Sequence, residues 1–300
     1  MVKSKIPKYF STVLNIFLIL MKTNKKFRIG FILFTTLMIL VFISFFAPPK
    51  YMYWYSYPKK LPPTPTSIDL ILGTTDNGRS VFWIFTNAIK NSLIIGLVTS
   101  LVSSHVGLFI GMFAGFKGGF IDKMLMFITD TIIVIPALPL YIVVLMAFKS
   151  YISALGNPIP FMGLIFSITG WCWPARQVRA LVLSLREREF IITSLLSGNP
   201  IAGIIIKEIM PHLLAWHLIN STNAILYGIS METGLAIIGL SILDKDTLGT
   251  MIYWALYYGA LFRGVWWWYS TPIVGATIVF LAFFLISHGI SEYVNPKIKT

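Results

Sequence analysis

Charge is scarce in this 300-residue sequence: Asp, Glu, Lys and Arg make up 12% of it, against 56% hydrophobic residues and a mean hydropathy of +0.79. Soluble domains carry about 25% charged residues, so a water-soluble globule is excluded. Lipid can solvate such a chain if each span is a helix that satisfies its own backbone hydrogen bonds. Cysteine is nearly missing. The one thiol, Cys172, sits in an apolar run, which rules out an intrachain disulfide framework. Catalytic signatures are missing as well. No G-x-x-x-x-G-K-[ST] phosphate loop occurs, so the chain is not expected to hydrolyse ATP. The nearest Gly-rich turn, Gly115 to Lys123, has the wrong spacing. There is no H-E-x-x-H and no Cys/His pair at metal-ligand spacing. Among the histidines His105, His212, His217 and His288, the pair His212 and His217 lies five residues apart and does not share a helix face. No metal site and no enzyme activity are expected. No A-x-A-like site follows the apolar stretch Phe10 to Leu20, so no cleavable leader is expected either.

What is present is a series of apolar runs. A span needs about 20 mainly apolar residues, and six candidates occur: Ile29 to Ala47, Lys90 to Phe113, Met124 to Phe148, Ile159 to Leu183, Pro211 to Met231, and Pro272 to His288. The expected fold is an all-α polytopic membrane protein with six transmembrane helices. Residues 1–28 read as an interfacial helix on the inner side, 29–47 as the first span, and 48–87 as an extracellular segment. Residues 88–295 form a core of five spans, and 296–300 a cytoplasmic tail. Gly96, Ser100, Ser103, Ser104, Gly107, Gly111 and Gly115 recur at three- and four-residue spacing in the second span, which suits close helix packing. Pro136 and Pro139 predict a kink in the third span. Residues 211–243 are apolar for too long to be one straight span, so a separate re-entrant or surface helix is expected over Glu232 to Leu240. The Trp266-Trp267-Trp268-Tyr269 run reads as an aromatic loop at the lipid boundary.

Lys and Arg exceed Asp and Glu by 24 to 11. In a membrane protein that excess belongs on the cytoplasmic side rather than on nucleic acid. Six spans put both termini on one side, and that side carries 16 Lys and Arg against 8 on the other. Termini inside are therefore expected, in a plasma membrane. Asp130 lies within the third span, where an acid needs either an Arg or Lys from a neighbouring helix or a gating role. No series of buried acids alternates with basic residues along several spans, which weakens a proton-coupled carrier. Between the fourth and fifth spans, Arg186-Glu187-Arg188-Glu189 opens a segment that ends at Gly198 with Pro200 beyond, a sound stop signal. At about a dozen residues it is too short to cross, and it should lie flat on the inner surface.

That segment, from Phe190 through Gly198 to Ile209-Met210-Pro211, resembles the coupling loop of ABC importer permeases. Four further stretches resemble the dipeptide/oligopeptide/nickel permease family in the same order: Leu72 to Arg79, Gly115 to Asp122, Trp173 to Arg179, and Glu232 to Leu240. The extra first span and long outer segment resemble its C-type subunit. The resemblance implies a type I importer fold and a translocation path shared with a homologous second permease. It also implies two ATP-binding subunits that carry ATP and Mg, and an extracellular solute-binding protein. It implies coupling to the ATPases through Arg186, Glu187, Glu189, Ile192, Thr193, Ser194 and Gly198. Ile192-Thr193-Ser194 stands where the family has Glu-Ala-Ala, so Glu187 or Glu189 is expected to supply the charged contact. Asn220 or Asn223 in the fifth span is expected to face the path, and Glu232 to contact the binding protein or close an outer gate. Peptides are the expected cargo. Oligosaccharides or nickel chelates are alternatives within the fold, and a stand-alone secondary transporter is the rival from another class. No nucleic-acid partner is expected, and lipid surrounds the spans.

Overall fold

The computed structural model describes residues 8–154 and 156–294. The expected tail over 296–300, and the start of the expected interfacial helix, lie outside them. Among the described residues no strand forms beyond one isolated bridge between Thr74 and Ser80. Helices α1 (Lys8–Thr23) and α2 (Lys25–Ser44) meet at Asn24, whose side chain accepts from the Phe27 N–H and caps α2. The segment expected to be extracellular follows, with only two 3₁₀ turns, Pro49–Met52 and Ile68–Leu70.

Helix α3 (Val81–Lys117) is 37 residues long, about 55 Å. It begins inside the stretch expected to be extracellular, because the Ser80 hydroxyl caps it by accepting from the Trp83 N–H. Helices α7 (Ile159–Gly170), α8 (Cys172–Arg186) and α11 (Met210–Ile237) pack on it. The small residues singled out above permit this. A methyl on Gly111 would lie 2.7 Å from the Val178 Cβ of α8, and one on Gly107 would lie 2.6 Å from the Pro174 Cβ. On the other side, Gly96 admits Ile225 of α11.

The third expected span is two helices, α4 (Gly119–Val134) and α5 (Ala137–Ala147), bent by 86° at the break. Pro136 causes the bend. Its ring holds the preceding residue, Ile135, in the extended conformation at φ −71° and ψ 123°. Short α6 (Lys149–Ala154) follows. The fourth span is α7 and α8 in succession, divided at Trp171. Among the described residues four single helices are long and apolar enough to cross a membrane, and the bent α4–α5 pair, taken as one span, is a fifth. The α7–α8 pair supplies the sixth. Neither helix of this pair is long and apolar enough alone, since α7 has 12 residues and α8 carries charge.

Three boundaries correct the sequence reading. The inner helix expected over 186–198 is α9 (Glu189–Leu196), since α8 runs to Arg186 and Glu187 and Arg188 make the turn. The fifth span starts ten residues early. Here α10 (Ile201–Ile204), a π turn (Ile205–Ile209) and α11 run on as one helix. Pro211 lacks an N–H to bond the Lys207 carbonyl, and the widened turn absorbs this, with the Met210 N–H donating to the Ile205 carbonyl. No separate helix covers 232–240 either, because α11 continues to Ile237 and stops at Gly239, φ +80°. The Leu240 N–H donates to the Leu235 carbonyl and the Gly239 N–H to Ala236, a Schellman closure. Then come α12 (Leu248–Tyr257), which was not foreseen, and α13 (Trp266–Val294), which takes in the tryptophan run that was expected to be a loop.

Candidate functional site

On the side where α8 ends, α9 is a short knob fixed at both faces. Ile191 and Ser194 turn inward, while Glu187, Glu189, Phe190, Ile192, Thr193 and Leu196 are exposed. Ile191 is fully buried in an apolar cluster with Leu108 of α3, Val178 and Val182 of α8, and Ile204, Ile209 and Leu213 beyond the knob. The knob therefore rests on three of the helices that flank it. Arg186 is exposed at the end of α8 and lies over the Gly118 turn between α3 and α4. Gly198 has φ +79° and closes α9. Its N–H donates to the Leu195 carbonyl, and the Asn199 N–H to Ser194.

One residue here was missed. The Ser194 hydroxyl donates to Glu208 Oε1 at 2.5 Å, and Asn199 Nδ2 donates to Ser194 Oγ at 2.8 Å. Glu208 sits in the π turn, so a carboxylate ties the knob to the start of the fifth span. The only sequence signal was a single acid, beside Lys207, within the mainly apolar stretch 201–213.

On the opposite side, Glu232 is fully buried near the end of α11. Its Oε1 accepts from Thr247 Oγ1 at 2.6 Å and Ser241 Oγ at 3.1 Å. Gly249 at the start of α12 leaves the room: a Cβ there would lie 2.8 Å from Glu232 Oε2. A side chain enclosed this way offers nothing to a docking protein, which corrects that half of the expectation. What it does is pin the loop that leads into α12. Arg79 clamps the same loop from the outer segment, at 2.9 Å from Asp246. Asp76 bridges Lys60 and Arg263, each at 2.9 Å. The Leu72 to Arg79 stretch is thus a fastener, turned tightly by Gly73 and Gly78 at φ +73° and +66°. Burial and the Asp246 charge push the Tyr51 phenol up to about 12, so it stays neutral under this fastener. Burial works to raise the Asp69 carboxyl. The Trp83 indole N–H at 2.7 Å and the Lys50 ammonium at 2.9 Å outweigh it and hold the group below the usual range. Beneath the fastener lies a mainly apolar cavity of about 1330 Å³, walled by Met38, Trp54, Lys90, Asn91 and Asp246 among others.

Within the bundle, Asn223 is exposed on α11, and the half-buried Asn220 has a buried Nδ2 without a partner. Ser221 joins α3 through its carbonyl to Ser100 Oγ at 2.7 Å and its hydroxyl to Ser104 at 3.1 Å. His217 meets not His212 but His105 of α3, ring to edge at 4.7 Å. Among the described residues no group of three or more His, Cys, Asp and Glu is arranged to hold a metal. Asp130 of α4 pairs with Arg176 of α8 at 3.4 Å, and Asp122 takes Arg179 in a two-pronged pair at 2.5 and 2.6 Å.

A broken third span, a knob between two crossings and a fastened loop at the opposite end fit a transport subunit. Residues 107–300 match the family described as binding-protein-dependent transport system inner membrane component. The chain belongs to this family. It is thereby a membrane-spanning permease subunit of an ABC-type importer rather than an enzyme. Similar proteins include the oligopeptide transport system permease protein OppC of Bacillus subtilis, 24% identical over 290 residues, covering 93% of this chain and 88% of that protein. The dipeptide transport system permease protein DppC of Bacillus subtilis is 27% identical over 289 residues, covering 93% and 84%. OppC of Mycobacterium tuberculosis is 27% identical over 220 residues, covering 72% and 73%. In this permease the family match takes in α9 and its anchors as well as the Asp130–Arg176 pair.

Proposed function

We propose that this permease subunit imports peptides, as one of two homologous membrane halves driven by two ATP-binding subunits. An extracellular binding protein delivers the cargo. The carrying observation is α9: a capped, eight-residue knob seated on α3, α8 and the start of the fifth span, with charged and apolar side chains left exposed. A docked ATPase that moves this knob moves three helices at once. ATP and Mg belong to the partner subunits, since this chain has no phosphate loop. The names of the similar permeases support peptide cargo. The bias of Lys and Arg supports termini on the cytoplasmic side.

Within this reading Arg186, Glu187 and Glu189 meet the ATPase groove, with Ile192 and Thr193 beside them. Ser194 and Gly198 hold the knob's shape. Asn223, and Asn220 behind it, face the path shared with the second permease, and Glu232 keeps the outer gate loop in place. The test is uptake of a radiolabelled tripeptide into vesicles containing the assembled transporter. Uptake should need both ATP inside and the binding protein outside. Uptake driven by an ion gradient, without ATPase subunits, would overturn the reading in favour of a secondary carrier.

A further inference from the structure

The Asp130–Arg176 pair has an unusual location. Arg176 stands ten residues above Arg186 on α8, about 15 Å up the helix, and Asp130 stands eleven above Gly119 on α4, about 16 Å. α8 lies against Gly107 and Gly111 of apolar α3, which fixes the same depth independently. Exposed side chains of α3 and α4 near this level are mainly apolar, Phe109, Phe127 and Val134 among them, with Thr131 beside Asp130 the polar exception. Yet both members of the pair are about half exposed, 52% for Asp130 and 49% for Arg176.

Ionised groups at such depth are expensive in hydrocarbon, even when paired, and are too far from the helix end to snorkel. They belong against water or protein. The rest of α8 agrees. Its exposed face runs Trp173, Arg176, Ala180, Leu181 and Ser184, with Gln177 half-buried beside them, so polar and small residues share it with Trp173 and Leu181, whereas Pro174, Val178 and Val182 face the bundle. By contrast the Asp122–Arg179 pair, one turn lower on α8 and two turns lower on α4, is partly covered, 11% and 34% exposed, and holds α4 to α8. One pair suffices as a strut, so the upper one is free for another task.

We propose that this face of α8, with Asp130 opposite, lines the water-filled cargo path, and that Asp130 and Arg176 receive the charged ends of the cargo. A free peptide carries an ammonium at one end and a carboxylate at the other. Each is costly in a low-dielectric layer unless a counter-charge is at hand. The 3.4 Å pair is long enough to be shared, since each member has exposed surface to offer an end group while the other keeps it solvated. This second part rests on the peptide reading above; the path placement does not.

The assembled transporter in vesicles, with Cys172→Ala, is the material for the test. Single Gln177→Cys and Ala180→Cys changes should react with charged methanethiosulfonate reagents at least tenfold faster than Ile39→Cys on the exposed face of α2. Adding Arg176→Gln should slow the anionic reagent relative to the cationic one, and Asp130→Asn should do the reverse. A purely structural pair would shift both rates together. Millimolar trialanine with free ends should slow the labelling of Gln177→Cys, and N-acetyl-trialanine amide should not. If neither α8 position reacts faster than Ile39→Cys, the path placement is wrong whatever the cargo. If both react but free trialanine gives no protection, the pair is no end-group site. If the parent transporter takes up no peptide at all while labelling behaves as described, the cargo reading fails and the path stands.

Discussion

At the scale of single residues, four positions decide how the knob behaves. Gly198 has open space around it, so a side chain there meets nothing; the penalty is the φ of +79° itself. A non-Gly residue in that region costs about 1–2 kcal/mol, and β-branching makes it worse. Gly198→Val should therefore insert normally but weaken retention of the ATPase pair in a pull-down at matched expression, with Gly198→Asn much closer to the parent. Glu187→Ala combined with Glu189→Ala should give the same loss through the exposed contact surface. Ser194→Ala leaves Glu208 without its hydroxyl partner, at a cost of about 1.5–3 kcal/mol for a bond to a charged group. Thermal denaturation in detergent should report it. Asp69 gives a pH prediction. Its pKa is lowered by folding, so its contribution is complete above the ordinary value of about 4 and lost as pH falls through the lower folded one. Protease resistance of the 49–80 segment in right-side-out vesicles should be flat from pH 8 to 5 and fall only below about 4. Asp69→Asn should remove that step.

At the scale of elements, the long α3 is the axis on which the molecule is laid. Its glycines were legible as a packing pattern, but not which helix each admits: Gly96 faces α11 while Gly107, Gly111 and Gly115 face α8. Gly111→Leu should force α3 and α8 apart and cost at least about 1–3 kcal/mol. Gly203→Ala tests the opposite case. Its added carbon would meet nothing nearer than 3.5 Å, and a helical Gly→Ala change gains up to about 1 kcal/mol. Melting in detergent should separate the two variants, lowered for the first and unchanged or raised for the second. Pro136 was legible as a kink. Its 86° size was not, because proline removes a bond and fixes the preceding residue, while the angle depends on what the next helix packs against. Here Tyr141 of α5 is fully buried beside Phe166 of α7 and donates or accepts with Thr169 and Tyr227.

At the scale of the whole molecule, the fastener and the knob sit at opposite ends of the helices that join them. Arg79, Asp246 and Glu232 hold one end; Ile191, Ser194 and Glu208 hold the other. α11 and its π-turned extension reach from one to the other without a break. The proposed orientation rests on charge bias and is directly checkable. In a Cys172→Ala background, Ser67→Cys should label with an impermeant thiol reagent from outside intact cells and Ser197→Cys only after permeabilisation. Labelling of both from the same side would reverse or break the topology.

Sequence alone determined that the chain lives in lipid, that its structure is helical, and that an amphipathic helix stopped by a glycine lies between the fourth and fifth spans. These follow from composition, run length and stop signals, which are local and read in order along the chain. Tertiary structure decided what those signals cannot encode. Glu232 looked like a surface acid until Thr247 and Ser241 closed over it. His105 and His217 lie 112 residues apart and meet only because α3 and α11 pack together. Asp130 needed a cation, and nothing local says that Arg176 is the one, or that the pair stays half exposed. Partners distant in sequence are chosen by how helices pack, and packing is settled by shape across the whole bundle rather than by any one stretch of it.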